Sequence, residues 1–458
     1  MEQILNTLVE KYKDEMFEKI AEFVRLETVN DQSTATEGAP YGKANREALD
    51  KFMELGQNLG FEVRDYDGYA ATLKWGNDGK EIGVLAHLDI VPAGDGWKTD
   101  PFDPVVIDGK MFGRGTMDDK GPLLAAVYAA KAVMESGLPV SNHIKIISGC
   151  NEEEGHNCVK YYLTKEKGPD MGFSPDASFG VIHAEKAILR FKITKEFDAM
   201  EKSGLSVEKI EAGTVVNAVP NCAKVRLKDA KGNVDVKQFD GIPAHAMCPW
   251  IGKNAIVPML EYLKDLDFSD TAVKEYFQTV YDLFKDGWEG KGLGIACEDQ
   301  LSGKLTMNLG LMSMDEKKAE VQIDIRCPIH SDMNVLIKTV MLTCESKGLK
   351  AEVSHSCDSL YVPKDAPLVQ TLLGVYNEMT GRNAEPETIG GGTYCRELEN
   401  VISYGPIFPE EPDLAHQANE YIDLDNMLLA TKIYAQAIYE LLKKETENHE
   451  KNSNIKPP

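Results

Sequence analysis

Between Gly60 and Gly149 short β-prone runs alternate with an apolar helix, and this pattern confines the chain to a layered α/β fold. The runs are Phe61–Val63, Ala70–Trp75 and Glu81–Ala86, then Val105–Ile107 and Lys110–Phe112 around an Asp108-Gly109 turn. Pro122 fits a first helical position, and Leu123 to Met134 continues as an Ala-rich helix. His143 to Gly149 returns to strand, its apolar content carried by Ile144, Ile146 and Ile147. A largely parallel sheet is expected. In such sheets ligands sit in loops beyond the carboxyl ends of the strands, so the chemistry is sought there.

Upstream, Ile4, Leu5, Leu8, Val9, Tyr12, Ile20, Phe23 and Val24 fall at helical spacing, and a second helix is expected from about Ala44 to Leu59, stopped by Gly60. From about Ala184 the texture changes. Strand-like alternation at Ile188–Ile193 and Ala223–Leu227 mixes with helices at Ala255–Leu266, Thr271–Phe284 and Asn334–Lys347, before a strand near Lys350–Ser354. The C-terminal hundred residues return to α/β patterning, with helices at Leu368–Met379 and Leu424–Lys443. Residues 445–458 are polar and Pro-ended, and a disordered tail is expected there.

Charge narrows the partners. Lys plus Arg number 50 against 74 Asp plus Glu, a balance of −24 that argues against nucleic acid or an anionic membrane as partner. The most apolar run, Leu123 to Val133, is shorter than the ~20 residues of a membrane span and contains Lys131. Met1 to Lys19 lacks the apolar stretch of a secretory signal. Nine cysteines scattered without a CxxC read as reduced thiols, so a cytoplasmic location is expected.

Four loops beside these strands offer metal-type ligands. His87-Leu88-Asp89 follows Glu81–Ala86, and strand geometry puts positions 87 and 89 on one side. There the Asp89 carboxylate can accept the imidazole N–H, the arrangement that orients a metal-binding histidine; a hydrogen-bonded structural histidine is the plainer reading. Gly113–Gly121 reads GRGTMDDKG, without the third glycine of a dinucleotide loop or the GK[ST] of a P-loop. Helix capping explains Asp119 and leaves Asp118 available as a ligand. Asn151-Glu152-Glu153-Glu154-Gly155 follows strand His143–Gly149. Three glutamates there repel one another, and a dication relieves the repulsion; a solvated acidic turn is the competing reading. Ser174-Pro175-Asp176 precedes the run Phe179–His183.

The steps from His87 to Asp118, Glu153 and Asp176 are 31, 35 and 23 residues. With the wording HLDIVP, GRGTMDDKG, NEEEG and SPDASF, the set resembles the dinuclear metallopeptidase superfamily of aminoacylase, acetylornithine deacetylase, succinyl-diaminopimelate desuccinylase and glutamate carboxypeptidase. HLDIVPAGDGW, RGTMDDKGP and FSPDA resemble its peptidase V-like dipeptidases (carnosinase-like, Sapep-type), over nearly the whole chain. The resemblance implies an α/β fold, with a mostly parallel-sheet catalytic domain built from 1–183 and 356–458 and an inserted α+β lid at 184–355. It also implies two divalent metal ions, Zn²⁺ or Mn²⁺, with Co²⁺ also suited to the donors. His87 and Asp176 would hold one ion, Glu153 and the His416 of AHQANE the other, with Asp118 bridging. Glu152 would be the general base, and Asp89 joins the catalytic set as the carboxylate that orients His87. Asn151 stands where the family has Asp, and a slip of one residue would give Glu153 and Glu154 instead. The family also carries a cis peptide after the bridging aspartate.

In the lid, His245 of GIPAHAMCPW matches an oxyanion donor, a role typically worth about 3–4 kcal/mol. Asn217 of VVNAVP matches a substrate-contacting residue, Arg326 of DIRCP a carboxylate-binding fork, and Gly391, Gly392 and Thr393 a loop contacting the same end of the substrate. An insert of roughly 170 residues matches the doubled lid that closes its own site, so a monomer is expected. His143, His156, His183, His330, His355 and His449 read as structural or surface residues.

The implied activity is metal-dependent hydrolysis of dipeptides or short peptides with a free N-terminus. Amide hydrolysis needs a nucleophile, a polarised carbonyl and a proton for the leaving amine; the ions supply the first two and Glu152 moves the proton. An N-acyl amino acid deacylase is the alternative, sharing the metal centre. A catalytically silent binding protein is disfavoured, because base, ligands and lid donors occur together.

Overall fold

The computed structural model describes residues 2–197 and 203–443; the segment 445–458, His449 included, lies outside them. The chain forms two units. The first comprises Met1–His183, Val362–Glu387 and Thr393–Pro458, the second Ala184–Tyr361 and Thr388–Gly392. Position 355, the expected end of the insert, falls inside strand Lys350–Cys357, and the second unit runs on to Tyr361.

At the centre of the first unit's sheet, strands His143–Gly149, Glu81–His87, Met171–Ser174 and Val401–Ser403 lie side by side and parallel. His143–Gly149 is buried at every position and Glu81–His87 at every position after Glu81, as strands covered on both faces require. The flanks are antiparallel, so the sheet as a whole is mixed. Glu62–Tyr66 pairs with Ala70–Trp75, which pairs with His143–Gly149. The tight connection explains it: Asp67 and Gly68 both take positive φ, 54° and 76°, the hairpin geometry that an Asp-Gly pair favours. On the other side Val181–Glu185 meets Val401–Ser403 antiparallel.

Helix Lys120–Glu135 packs against Glu2–Val24, Leu424–Leu442 and strand Glu81–His87. It is buried without a break from Lys120 to Ala130, which an all-round apolar sequence dictates. It begins two residues before Pro122, so the proline occupies the third position, still within the turn whose N–H groups have no helical partner. Helices Lys43–Leu59 and Asn157–Lys165 pack on strands Glu62–Tyr66 and Ala70–Trp75.

The second unit is a seven-stranded antiparallel sheet. Its order is Val234–Asp240, Cys222–Lys228, Ser206–Ala212, Thr306–Met314, Lys318–Cys327, Ala187–Glu196 and Lys350–Cys357. Burial alternates along Cys222–Lys228, so one face is wet and the other carries the core. Leu189, Phe191, Val225, Ile323 and Ile325 pack there with Leu260, Phe277, Val280 and Val340 of helices Ile256–Lys264, Thr271–Phe284 and Met333–Ser346. No described helix is long and apolar enough to cross a membrane.

Candidate metal centre

The parallel strands of the first unit deliver the acidic loops to one edge. His87 ends strand Glu81–His87, Asn151–Glu154 follow the strand ending at Gly149, and Asp176 lies two residues beyond Ser174. Asp118 comes from the loop before helix Lys120–Glu135, with a cis peptide to Asp119. His416 arrives from the C-terminal segment.

Asp118 presents one oxygen to each histidine. Its Oδ1 is 3.0 Å from His87 Nε2 and its Oδ2 is 3.2 Å from His416 Nε2. Asp176 Oδ2 lies 3.7 Å from His87 Nε2, and Glu153 Oε2 lies 2.8 Å from His416 Nε2. Two groups of donors result, His87 with Glu152 and Asp176, and Asp118 with Glu153 and His416, each converging within 4.8 Å. Glu154 turns away and accepts from Asn30 at 3.2 Å.

These residues fit divalent cations. His87 Nδ1 donates to the Asp89 carbonyl at 3.0 Å, which turns the fully buried Nε2 toward the carboxylate oxygens of Asp118 and Asp176. Despite burial, those carboxylates hold the imidazole well above its usual range, so the site calls for positive charge at Nε2, which a proton or a bound dication supplies. The surrounding charges carry the same message. Burial and then the Asp118 charge raise the Glu153 carboxyl to about 7 and Asp176 well above its usual range. Bonds to Asp118 and Glu153 raise His416 to about 11. The pocket is short of positive charge. Two histidines with carboxylates suit a borderline dication.

Buried groups hold the loops in place, and two differ from expectation. The Asp89 carboxylate accepts from the backbone N–H of Glu152 and Glu153, both at 3.1 Å, and stands 3.5 Å from His87 Nδ1. Its closer hydrogen bonds therefore fix the acidic turn, while its carbonyl orients His87. Asp119 occupies the cap position of helix Lys120–Glu135, but its side chain does not cap; it accepts from the His87 backbone N–H at 3.1 Å. Lys120 Nζ donates to the Leu26 carbonyl at 2.6 Å.

His156 also differs from expectation. It belongs to the site: its Nε2 lies 3.3 Å from Glu152 Oε1 and its Nδ1 3.0 Å from Glu397 Oε1.

The second unit gathers most of the remaining expected residues. Ala246 N donates to Asn217 O at 2.8 Å, which ties the His245 loop to the Asn217 loop. Arg326 is buried; its Nη1 donates to Gly390 O at 2.9 Å and its Nη2 to Asp324 Oδ2 at 3.3 Å. A Cβ on Gly390 would stand 2.9 Å from Met247 Cβ, so the glycine loop holding Gly391 and Gly392 lies close against the residue two after His245. Thr393 falls in the first unit, where its buried hydroxyl sits 3.1 Å from Ser403 Oγ and accepts from Cys395 N.

Residues 83–440 match the family described as Peptidase family M20/M25/M40. The chain belongs to this family. A Bacillus subtilis (strain 168) protein named "Putative dipeptidase YtjP" is 37% identical to it, across 94% of this chain and 98% of that protein. A Staphylococcus epidermidis relative of the same description is 34% identical over equal shares. Among solved structures, human carnosine dipeptidase 1 superposes with a TM-score of 0.62 at 16% identity, covering 96% of this chain and 98% of that one. Dug1p of Saccharomyces cerevisiae, titled a di-peptidase, gives 0.60 at 17%, with the same coverage. These last two likenesses show the fold. Membership makes the protein a metallopeptidase, a hydrolase.

For an M20 member, the residue most hidden from sequence reasoning is Glu420. It is fully buried, pairs with Arg114 Nη1 at 2.6 Å, and accepts from the N–H groups of Gly115, Met117 and Asp118 at 3.0, 2.8 and 3.2 Å. It is the strut of the loop that carries Asp118. Its only signal in the sequence was its place four residues after His416.

Proposed function

We propose that the protein is a dipeptidase that hydrolyses short peptides with a free N-terminus, with Glu152 as general base. The observation carrying this reading is the Asp118 bridge: two carboxylate oxygens serving two histidines, with the Glu152 carboxylate in the same cluster. The relatives named as dipeptidases across almost their whole length support the substrate class.

His87 and Asp176 would hold one ion, Glu153 and His416 the other, with Asp118 between them. Bound there, two divalent ions would supply Lewis acidity to a water and to the scissile carbonyl. Zn²⁺, Mn²⁺ and Co²⁺ all suit these donors. Glu152 accepts the proton of the attacking water and returns it to the departing amine nitrogen. His245 is assigned to oxyanion stabilisation, and Asn217, Arg326, Gly391 and Gly392 to substrate contacts. Thr393 is assigned to the same substrate contacts; its hydroxyl lies 3.1 Å from Ser403 Oγ and accepts from Cys395 N. The length of the insert supports a monomer, and the composition supports a cytoplasmic enzyme without nucleic-acid or membrane partners.

The test is a matched pair of substrates, a free dipeptide and its N-acetyl form. Cleavage of the free dipeptide in preference is the expected result. Preference for the acetylated one would replace this reading with a deacylase.

A further inference from the structure

The neighbour of Glu152 outside the ligand set is His156. Its backbone takes φ 63°, in the left-handed region, at the cap of helix Asn157–Lys165. Its N–H donates to the Asn151 carbonyl at 2.8 Å, which folds the chain back over the acidic turn. The ring then meets a carboxylate at each nitrogen, Glu152 Oε1 at 3.3 Å and Glu397 Oε1 at 3.0 Å. The Tyr394 ring packs edge-on against it, centroids 5.1 Å apart, and Lys160 Nζ stands 3.5 Å from the same Glu397 oxygen. The side chains of His156, Glu152 and Glu397 are 16%, 13% and 15% exposed, so bulk water does not compete freely for these contacts. A structural histidine needs one such partner. This one is fixed on both edges and one face, with one edge turned to the base.

We propose that His156, oriented by Glu397, is a positioning residue for Glu152: it tethers one carboxylate oxygen and leaves the other for the water proton. The inference rests on the dipeptidase reading and on Glu152 as the base. A base held in one orientation acts in the transition state, so its loosening lowers kcat with little change in KM. Glu397 acts one step further out and keeps the imidazole from turning away.

The test compares wild type, His156→Ala, His156→Gln, Glu397→Gln, and His156→Ala in a Glu152→Ala background. Each is assayed on a free dipeptide with metal restored, and each has its metal content and melting temperature measured. His156→Ala is expected to lose about tenfold or more in kcat, with KM within about twofold and the metal content of wild type. His156→Gln, which keeps an N–H donor, recovers part of the loss, and Glu397→Gln falls in between. In the Glu152→Ala background the same substitution costs nothing further. Unchanged kcat in His156→Ala would overturn the proposal, as would an equal fractional loss without Glu152 or a loss of rate that follows lost metal. If His156→Ala does not fold, His156→Gln and Glu397→Gln decide by the same criteria. Wild type without turnover on any free dipeptide would remove the dipeptidase reading, and this inference with it.

Discussion

In the proposed assignment each histidine holds a different ion, and single substitutions can therefore be told apart. His416 shares its donors with Glu153 and Asp118, whereas His87 faces Asp118 and Asp176. His416→Ala is expected to lose one ion selectively. Its affinity should fall by more than the roughly 10–100-fold typical of losing an outer partner, and metal analysis after dialysis should find one ion per chain in place of two. Glu152→Ala is expected to keep both ions and lose roughly 10²–10⁴-fold in kcat. Full activity in that variant would refute Glu152 as the base. Among the residues assigned as ligands, His87, Asp118, Glu153 and Asp176 stand out in the sequence because each lies in a loop beside a strand, whereas His416 of AHQANE is offered only by the family resemblance. His156 does not stand out. Its partner Glu397 is 241 positions away, and nothing local distinguishes a histidine in that turn from a surface one.

The elements that aim these residues depend on two kinds of close approach. Glu420 concentrates a buried ion pair and three backbone hydrogen bonds on the Asp118 loop. Removing one partner of a buried pair strands the other charge, so Glu420→Ala should cost about 3–5 kcal/mol, read as a lower denaturant midpoint. A Cβ on Gly149, the residue that ends strand His143–Gly149, would stand 2.3 Å from Tyr394 Oη and 2.7 Å from Cys158 Sγ. Gly149→Ala is expected to destabilise by about 1–3 kcal/mol through overpacking, again by denaturant melt, with no change in the ligand set. Strands such as Ala70–Trp75 and His143–Gly149 stood out because their apolar runs are long. Met171–Ser174 and Val401–Ser403 escaped notice, since three or four residues beside Gly, Asn or Pro carry too little periodicity. The antiparallel pairing of Glu62–Tyr66 with Ala70–Trp75 follows from the Asp67-Gly68 turn.

At the scale of the whole molecule, the chain divides after His183 into two units, one with a mixed sheet with buried parallel strands and the other an antiparallel sheet with one wet face. The return of Thr388–Gly392 to the second unit was not legible, because five residues from a distant stretch join it by hydrogen bonds such as Arg326 to Gly390. In the proposed function, two ions held by five side chains of the first unit are required for peptide hydrolysis. The direct measurement is to strip the protein with a chelator, titrate it with Mn²⁺ or Zn²⁺, and follow hydrolysis of a free dipeptide. No turnover without metal and full recovery at two equivalents per chain are expected. Full turnover in the stripped protein, or full recovery at one equivalent, would contradict the two-ion requirement.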